Sequence, residues 1–290
     1  MSRLAQDMKT LAHRAGGSFR TVYDREQMAQ RFARYLLGQN IQITRTCQLK
    51  TRYIAGYIQA RLAKGISLRT LQNEMAMVRT ILWDAGCTKL SQSEGISNKS
   101  LGINGASRDG RHKAVPDEVY RRVLEQIARY DAGLAVCLTL ARMMGLRGQE
   151  AVQCCQSIKT WSRQLDKGAE QLFVIFGTKG GRPRMTQVVE RDVIHQTVRC
   201  GLQIIKARHG RLIDKPDLKS AMTYWRHHLS EAGLTGEYSP HSLRYAWAQD
   251  AIRFYERRGL SEKEALAATS MDLGHGDGRG RYIKQVYAKK

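Results

Sequence analysis

Residues 239–248 read Ser-Pro-His-Ser-Leu-Arg-Tyr-Ala-Trp-Ala. Ser239 suits a helix N-cap and Pro240 the first helical position, where a missing N–H costs nothing. The spacing predicts a helix over 240–257. His241 and Arg244 then share its first turn, three apart and on one face. Free N–H groups, the helix dipole and two side-chain donors converge there, which suits an anion. Taken alone, the same run also describes a capped helix whose His and Arg face solvent, so the rest of the chain must decide.

Upstream, Val115-Pro116-Asp117 opens a predicted helix with Val119, Val123 and Ile127 on one face. An apolar helix over 132–145 follows and ends in Gly145-Leu146-Arg147-Gly148-Gln149-Glu150. Two β-prone runs, 171–176 and 185–189, flank a basic glycine-rich loop bearing Lys179, Arg182 and Arg184, the pattern of a hairpin. Helices are expected over 191–208, 216–232 and 261–271. Then come Leu273-Gly274-His275, a glycine-rich run, Tyr282 and Tyr287.

The front of the chain reads as all helix. One segment spans 24–38 with Asp24 as its cap, and a second spans 48–64, carrying Arg52 and Arg61. A third begins after Ser67 with Leu68, Leu71, Met75, Val78 and Leu82 stepping at helical intervals. Arg69 and Arg79 flank that stripe as candidates for phosphate contact. Residues 87–113 are rich in Gly, Ser and Asn and read as a linker or long loop, with Arg108, Arg111 and Lys113 at its end. The domain boundary is expected near 113. The fold class is mainly α with one small β-hairpin.

Charge narrows the function. The 290 residues hold 48 Lys and Arg against 26 Asp and Glu, a net charge of +22, and residues 1–113 contribute 19 against 7. A surplus concentrated in a helical domain points to nucleic acid, since each cation set against a phosphate releases counterions. No apolar run is long enough for a membrane helix, and the N-terminus has no signal-peptide core. Cys47, Cys87, Cys137, Cys154, Cys155 and Cys200 form no CxxC pair, which suggests neither a zinc ribbon nor a disulfide framework and fits a reducing cytoplasm. There is no phosphate-loop motif and no HExxH. His227 and His228 are adjacent, about 100° apart on a helix, an arrangement poorly suited to one metal. Neither metal nor cofactor is expected.

The ordered set now includes an Arg after an apolar helix, a Lys in a hairpin loop, His-x-x-Arg, Leu-Gly-His and a terminal Tyr. It resembles the signature of the tyrosine recombinases, in particular integrases of phages and mobile elements. Pro240–Ala248 is its most specific piece; GLRGQE and LGHGDGRGRY are similar to the family's GLRxxE and LGH boxes. The resemblance implies a catalytic domain over 114–290 behind a helical, SAM-like core-binding domain over 1–113. It implies a site-specific recombinase that cuts and rejoins double-stranded DNA through a 3′-phosphotyrosyl link, without ATP or metal. Arg147 and Arg244 would grip the scissile phosphate, and Lys179 would protonate the departing 5′ oxygen. His241 would serve the nucleophile, His275 would donate to the phosphate, and Glu150 would orient the site. Arg52, Arg61, Arg69, Arg79, Arg108, Arg111, Lys113 and Arg182 are the further candidates for DNA contact.

The family's tyrosine lies about nine residues after the LGH histidine, where this chain has Lys284. Tyr282 comes earlier and Tyr287 later. Tyr287 is the expected nucleophile, because its extra distance allows a glycine turn and a short helix beginning near Arg281, anchored by Ile283 and Val286. The family also implies a DNA clamp, a homo-tetramer on DNA, accessory DNA-bending or directionality proteins, and a place in the cytoplasm with the nucleoid. Two rivals share the features: a DNA-binding protein on the same fold that forms no covalent link, and a type IB topoisomerase. The complete set Arg147, His241, Arg244 and His275 argues against the first. The separate basic front domain argues against the second.

Overall fold

A computed structural model describes residues 2–107 and 112–288. The candidates Arg108 and Arg111 lie outside the described residues. The chain divides into two compact units, residues 1–108 and 109–290.

The first unit begins with α1 (Arg3–Arg14), which the sequence reading leaves out. Ser2 caps it, and Leu4, Ala5, Met8, Leu11 and Ala12 bury one face. Next comes α2 (Phe19–Gly38), whose cap is Ser18. Asp24 sits inside that helix, paired with Arg20 one turn earlier, so it is not the cap expected of it. The helices α3 (Thr51–Ala63) and α4 (Leu68–Asp84) follow, the latter capped by Ser67. Met8, Phe32, Ile58, Met75 and Val78 are fully buried among these helices.

Residues 87–107 are not a free linker. A short helix, α5 (Thr88–Ser91), leads into a segment whose Ile96, Leu101 and Ile103 join the same core. Arg79 pins this segment through the Ile96 carbonyl (2.6 Å) and Asn98 (2.9 Å), and Arg69 donates to the Ser107 carbonyl (2.8 Å). A composition of Gly, Ser and Asn marked the irregular backbone correctly, but three apolar residues spread over eight positions suffice to dock it.

The second unit contains α6 (Asp117–Ala128), α7 (Ala132–Met143), α8 (Gly148–Gln153), α9 (Ile158–Asp166), the strands β1 (Gln171–Val174) and β2 (Arg184–Gln187), then α10 (Arg191–Ala207), α11 (Leu218–Glu231), α12 (Ser242–Arg257), α13 (Glu262–Asp272) and α14 (Gly280–Val286). The apolar α7 is the central helix, with every residue from Gly133 to Arg142 buried. Asp131 caps it, accepting from the Gly133 and Leu134 amides. The two strands pair antiparallel with Val174 opposite Arg184 and Leu172 opposite Thr186. Among the described residues, no helix is long and apolar enough to cross a membrane.

The start of α12 departs from expectation. Ser239 does not cap it: its hydroxyl pairs with His112 Nδ1 at 3.2 Å, and the first helical residue is Ser242. Pro240 stays in the preceding turn, closed by the Ser242 amide on the Ser239 carbonyl (2.8 Å). His241 therefore stands just before the helix, and Arg244 enters its buried side.

Candidate active site

A cavity of about 670 Å³ opens on the second unit, lined by Arg147, Lys179, Gly180, Arg182, Arg184, His241, Gly274, His275, Arg279, Tyr282 and Tyr287. Five of these are permanent cations, and the lining holds no carboxylate. Such a site attracts an anion without further help.

The carboxylate that organises the cations lies behind the wall. Glu150, in the first turn of α8, is 1% exposed. It accepts from Arg147 Nη1 (2.7 Å), the Arg147 amide (2.9 Å) and Arg184 Nη2 (2.8 Å). Burial pushes its pKa up, but Arg184, then Arg244 and the Arg147 amide, outweigh this and bring it down to about 2. Glu150 thus stays ionised and holds Arg147 at the cavity wall.

Arg244 is placed differently from the sequence reading. It is fully buried beneath the cavity rather than in its lining, donating to the carbonyls of Gly145 and Leu273. Burial first, then repulsion from Arg184 and Arg147, lowers its pKa to about 9, which leaves it charged at neutral pH. Gly145 makes this contact possible: its φ is +58°, and a Cβ there would meet the Trp247 ring at 2.6 Å. Gly177 has a matching task, since a Cβ would come within 2.5 Å of the Gln149 carbonyl, where the hairpin loop meets α8. That loop carries Lys179 and Arg182 to the cavity mouth, both exposed and neither in an ion pair among the described residues.

It is His275, not His241, that meets a tyrosine oxygen, with Nε2 3.2 Å from Tyr287 Oη. Burial, then Arg244 and Arg147, holds the His275 pKa down to about 3, so the ring is neutral at physiological pH. His241 faces the open cavity; partial desolvation and then Arg244, His112 and Arg147 hold it below its ordinary value. The tail takes the expected form. Ile283 and Val286 are buried, and Tyr287 caps α14 with its ring against Tyr245 (centroids 4.5 Å apart). Tyr282 also lines the cavity, its ring 5.0 Å from that of His275, but it is far more exposed: 36% against 3%.

The sequence pattern does not distinguish Arg184 from its neighbours in the basic loop as a site residue. It is 5% exposed and joins Glu150 to the carbonyls of Gly145 and Asp272. Strand register held the signal, because a residue paired opposite buried Val174 must point inward. Arg279, at the start of α14, is the other cavity cation passed over.

The remaining candidates scatter. Arg52 is exposed and stacks on Tyr53, while Arg61 is half-buried against Glu74. Arg69 and Arg79 serve the fold, as described. Lys113 belongs to the second unit and pairs with Glu237 at 2.6 Å. His227 and His228, expected to diverge, both reach the same Glu231 oxygen, at 3.2 and 3.4 Å. They bend toward it across the surface of α11 and form a group whose ligand atoms lie within 4.8 Å of one another.

Residues 102–250 match the Integrase family, and residues 1–91 match the family of phage integrase N-terminal domains. The chain belongs to the integrase family of tyrosine recombinases. Its activity is accordingly site-specific recombination. No curated protein matches the chain significantly. Solved structures share its fold. One is lambda integrase, as a tetramer bound to a Holliday junction, with 18% identity and a TM-score of 0.58 over 97% of this chain and 76% of that one. Another is the Tn1549 transposon integrase in complex with circular intermediate DNA, with 15% identity and a TM-score of 0.61 over 100% and 97%.

Proposed function

We propose that the chain cuts and rejoins duplex DNA at the cavity of its second unit, with Tyr287 as nucleophile. The observation that carries this reading is the 3.2 Å contact between Tyr287 Oη and neutral His275 Nε2 inside a wall of arginines and lysine. The phenol oxygen attacks phosphorus, the P–O5′ bond breaks, and a 3′-phosphotyrosyl link forms. The phenolic proton passes to His275, and Lys179 protonates the departing 5′ oxygen. The 5′ hydroxyl of a second strand then attacks the link and restores both Tyr287 and the phosphodiester.

Arg147 and Arg182 meet the phosphate from the lining, with His241 at its edge. Arg244, one layer down, adds positive potential and holds the loops that carry Arg147 and His275. Charge growing on the phosphate meets donors already in position, so little reorganisation accompanies the step. Duplex DNA is the substrate, and the nucleoid is the proposed place of action. Assembly of four protomers is supported by the lambda integrase tetramer on its junction. Accessory DNA-bending or directionality proteins would set the direction of exchange.

A nicked suicide substrate tests the nucleophile. Tyr287→Phe should bind DNA as the wild type does and trap no covalent complex, whereas Tyr282→Phe should still trap one. The reverse pattern would transfer the role to Tyr282. Capture by both single variants would show that neither is essential.

A further inference from the structure

The last turn of α11 gathers three side chains that take no part in the catalytic cavity: His227, His228 and Glu231. Their ligand atoms all lie within 4.8 Å of one another. Adjacent side chains leave a helix about 100° apart, which counts against a shared ion. The two rings close that angle by presenting different nitrogens. His227 reaches Glu231 Oε2 with its far nitrogen, Nε2, at 3.2 Å, and His228 with its near one, Nδ1, at 3.4 Å. Ligand atoms about 2.0–2.2 Å from a tetrahedral zinc ion stand roughly 3.3–3.5 Å apart, so small side-chain rotations seat one ion against all three.

The competing reading is an ordinary surface pairing of histidine with carboxylate, and two other places on the chain show what that looks like. His195 meets Asp166 at 2.8 Å, and Arg199 holds the same carboxylate. His13 meets Glu26, which Lys9 also holds. In both, a permanent cation already neutralises the acid. Glu231 has no such partner: among the described residues its ion pairs are with the two histidines alone, in a chain of 48 Lys and Arg. It is also the last residue of α11, where the helix dipole adds negative potential. The His228 ring is held in advance. It packs on Tyr224 (centroids 4.1 Å apart) and Tyr130 (5.4 Å), and Tyr224 Oη donates to Asp131, the cap of α7, at 3.0 Å. Support of this kind behind a ligand orients it for metal.

We propose that the end of α11 binds one divalent ion of the zinc class through His227 Nε2, His228 Nδ1 and the Glu231 carboxylate, with a fourth position open to water. Two imidazoles and one carboxylate suit zinc, whereas magnesium and calcium favour oxygen ligands throughout. The bound ion fastens the last turn of α11 and fixes His228 against Tyr130 and Tyr224, a brace on the fold rather than a participant in strand cleavage. The inference goes beyond the recombinase reading and does not depend on it.

The test uses the full chain without an affinity tag, stripped of metal, with Zn²⁺ titrated in competition with a chromophoric chelator. One equivalent should bind, and a large excess of Mg²⁺ should not displace it. Changes behind a metal ligand already cost on the order of 10–100-fold in affinity, so loss of a ligand should cost at least about 100-fold. His227→Ala and Glu231→Gln alter exposed side chains and should each show that loss with an unchanged thermal melt of the metal-free protein. His13→Ala and His195→Ala should leave the affinity as it is. Co²⁺ in place of Zn²⁺ should give the intense visible bands of a tetrahedral nitrogen and oxygen site. Absence of a stoichiometric ion in the wild type would overturn the proposal, as would equal losses in the two pairs of variants. A sulfur-to-cobalt charge-transfer band would place the ion on a cysteine and overturn it as well.

Discussion

Arg184 and His275 show how single residues set the chemistry of this site. Arg184 bonds a buried carboxylate and two buried carbonyls; Arg147 still serves Glu150 and Arg244 still serves Gly145 without it, but Glu150 loses one of its two arginine hydrogen-bond partners and the Asp272 carbonyl loses its arginine donor. Arg184→Met should destabilise the second unit by about 1–3 kcal/mol, since it removes charged hydrogen bonds from buried acceptors while Arg147 continues to pair Glu150. Arg184→Lys keeps the charge but cannot span three acceptors, and should fall between. Calorimetry measures the loss, and single-turnover cleavage should fall further than DNA affinity because Glu150, which fixes Arg147, is itself held less firmly. Equal melting of wild type and Arg184→Met would disprove the role. His275 makes a prediction about pH. An ordinary histidine would gain its proton near pH 6.5, whereas this one stays neutral to about 3. Cleavage should therefore be level between pH 6 and 8, and a rate that halves near pH 6.5 would contradict the assignment. The linked stability has a definite sign. The unfolded chain binds the proton between those two values and the folded chain does not, so this group makes stability rise with pH from about 3 to 6.5. Glu150, with its pKa depressed to about 2, acts in the same direction at lower pH: its contribution is present above the unfolded carboxylate value and lost as pH falls through about 2.

At the scale of elements, α14 is a seven-residue helix, too short to form without tertiary support. Ile283 and Val286 supply that support, and Gln249 donates to the Tyr287 carbonyl at 3.2 Å to hold its end. Ile283→Ala should cost about 2–5 kcal/mol as a cavity in the core and loosen α14 at the same time. Covalent capture should fall by a larger factor than DNA binding, because Tyr287 rides on this helix whereas Arg147, Lys179, Arg182 and Arg184 do not. A variant that melts lower yet cleaves at the wild-type rate would show that α14 positions nothing.

For the whole molecule, the charge pattern governs association. With roughly 6–10 phosphate contacts, affinity should fall about 10³–10⁵-fold between 50 and 200 mM salt. Titration against salt measures this, and a shallow dependence would mean that most of the +22 never meets DNA. The same scale shows what was legible from residues alone. Helices with strong periodicity or clear caps, such as α4 after Ser67, could be read from sequence because burial of one face and a satisfied N-terminus are local demands. The hairpin and the order of Arg147, Lys179, His241, Arg244 and His275 are equally legible, since they rest on spacing, whereas the tyrosine departs from the family's spacing and the choice between Tyr282 and Tyr287 does not rest on it. The family follows from that order. Distances between remote segments are another matter. Only tertiary packing places Arg244 under the cavity instead of in it, since the Gly145 and Leu273 carbonyls that claim it lie 99 and 29 residues away. Only packing gives Tyr287 to His275 rather than His241, turns Arg69 and Arg79 from candidate DNA contacts into clips for residues 96–107, and draws Arg184 inward to Glu150. A side chain's chemical type is a property of the sequence; its partner is whichever buried group most needs satisfying once the chain has folded.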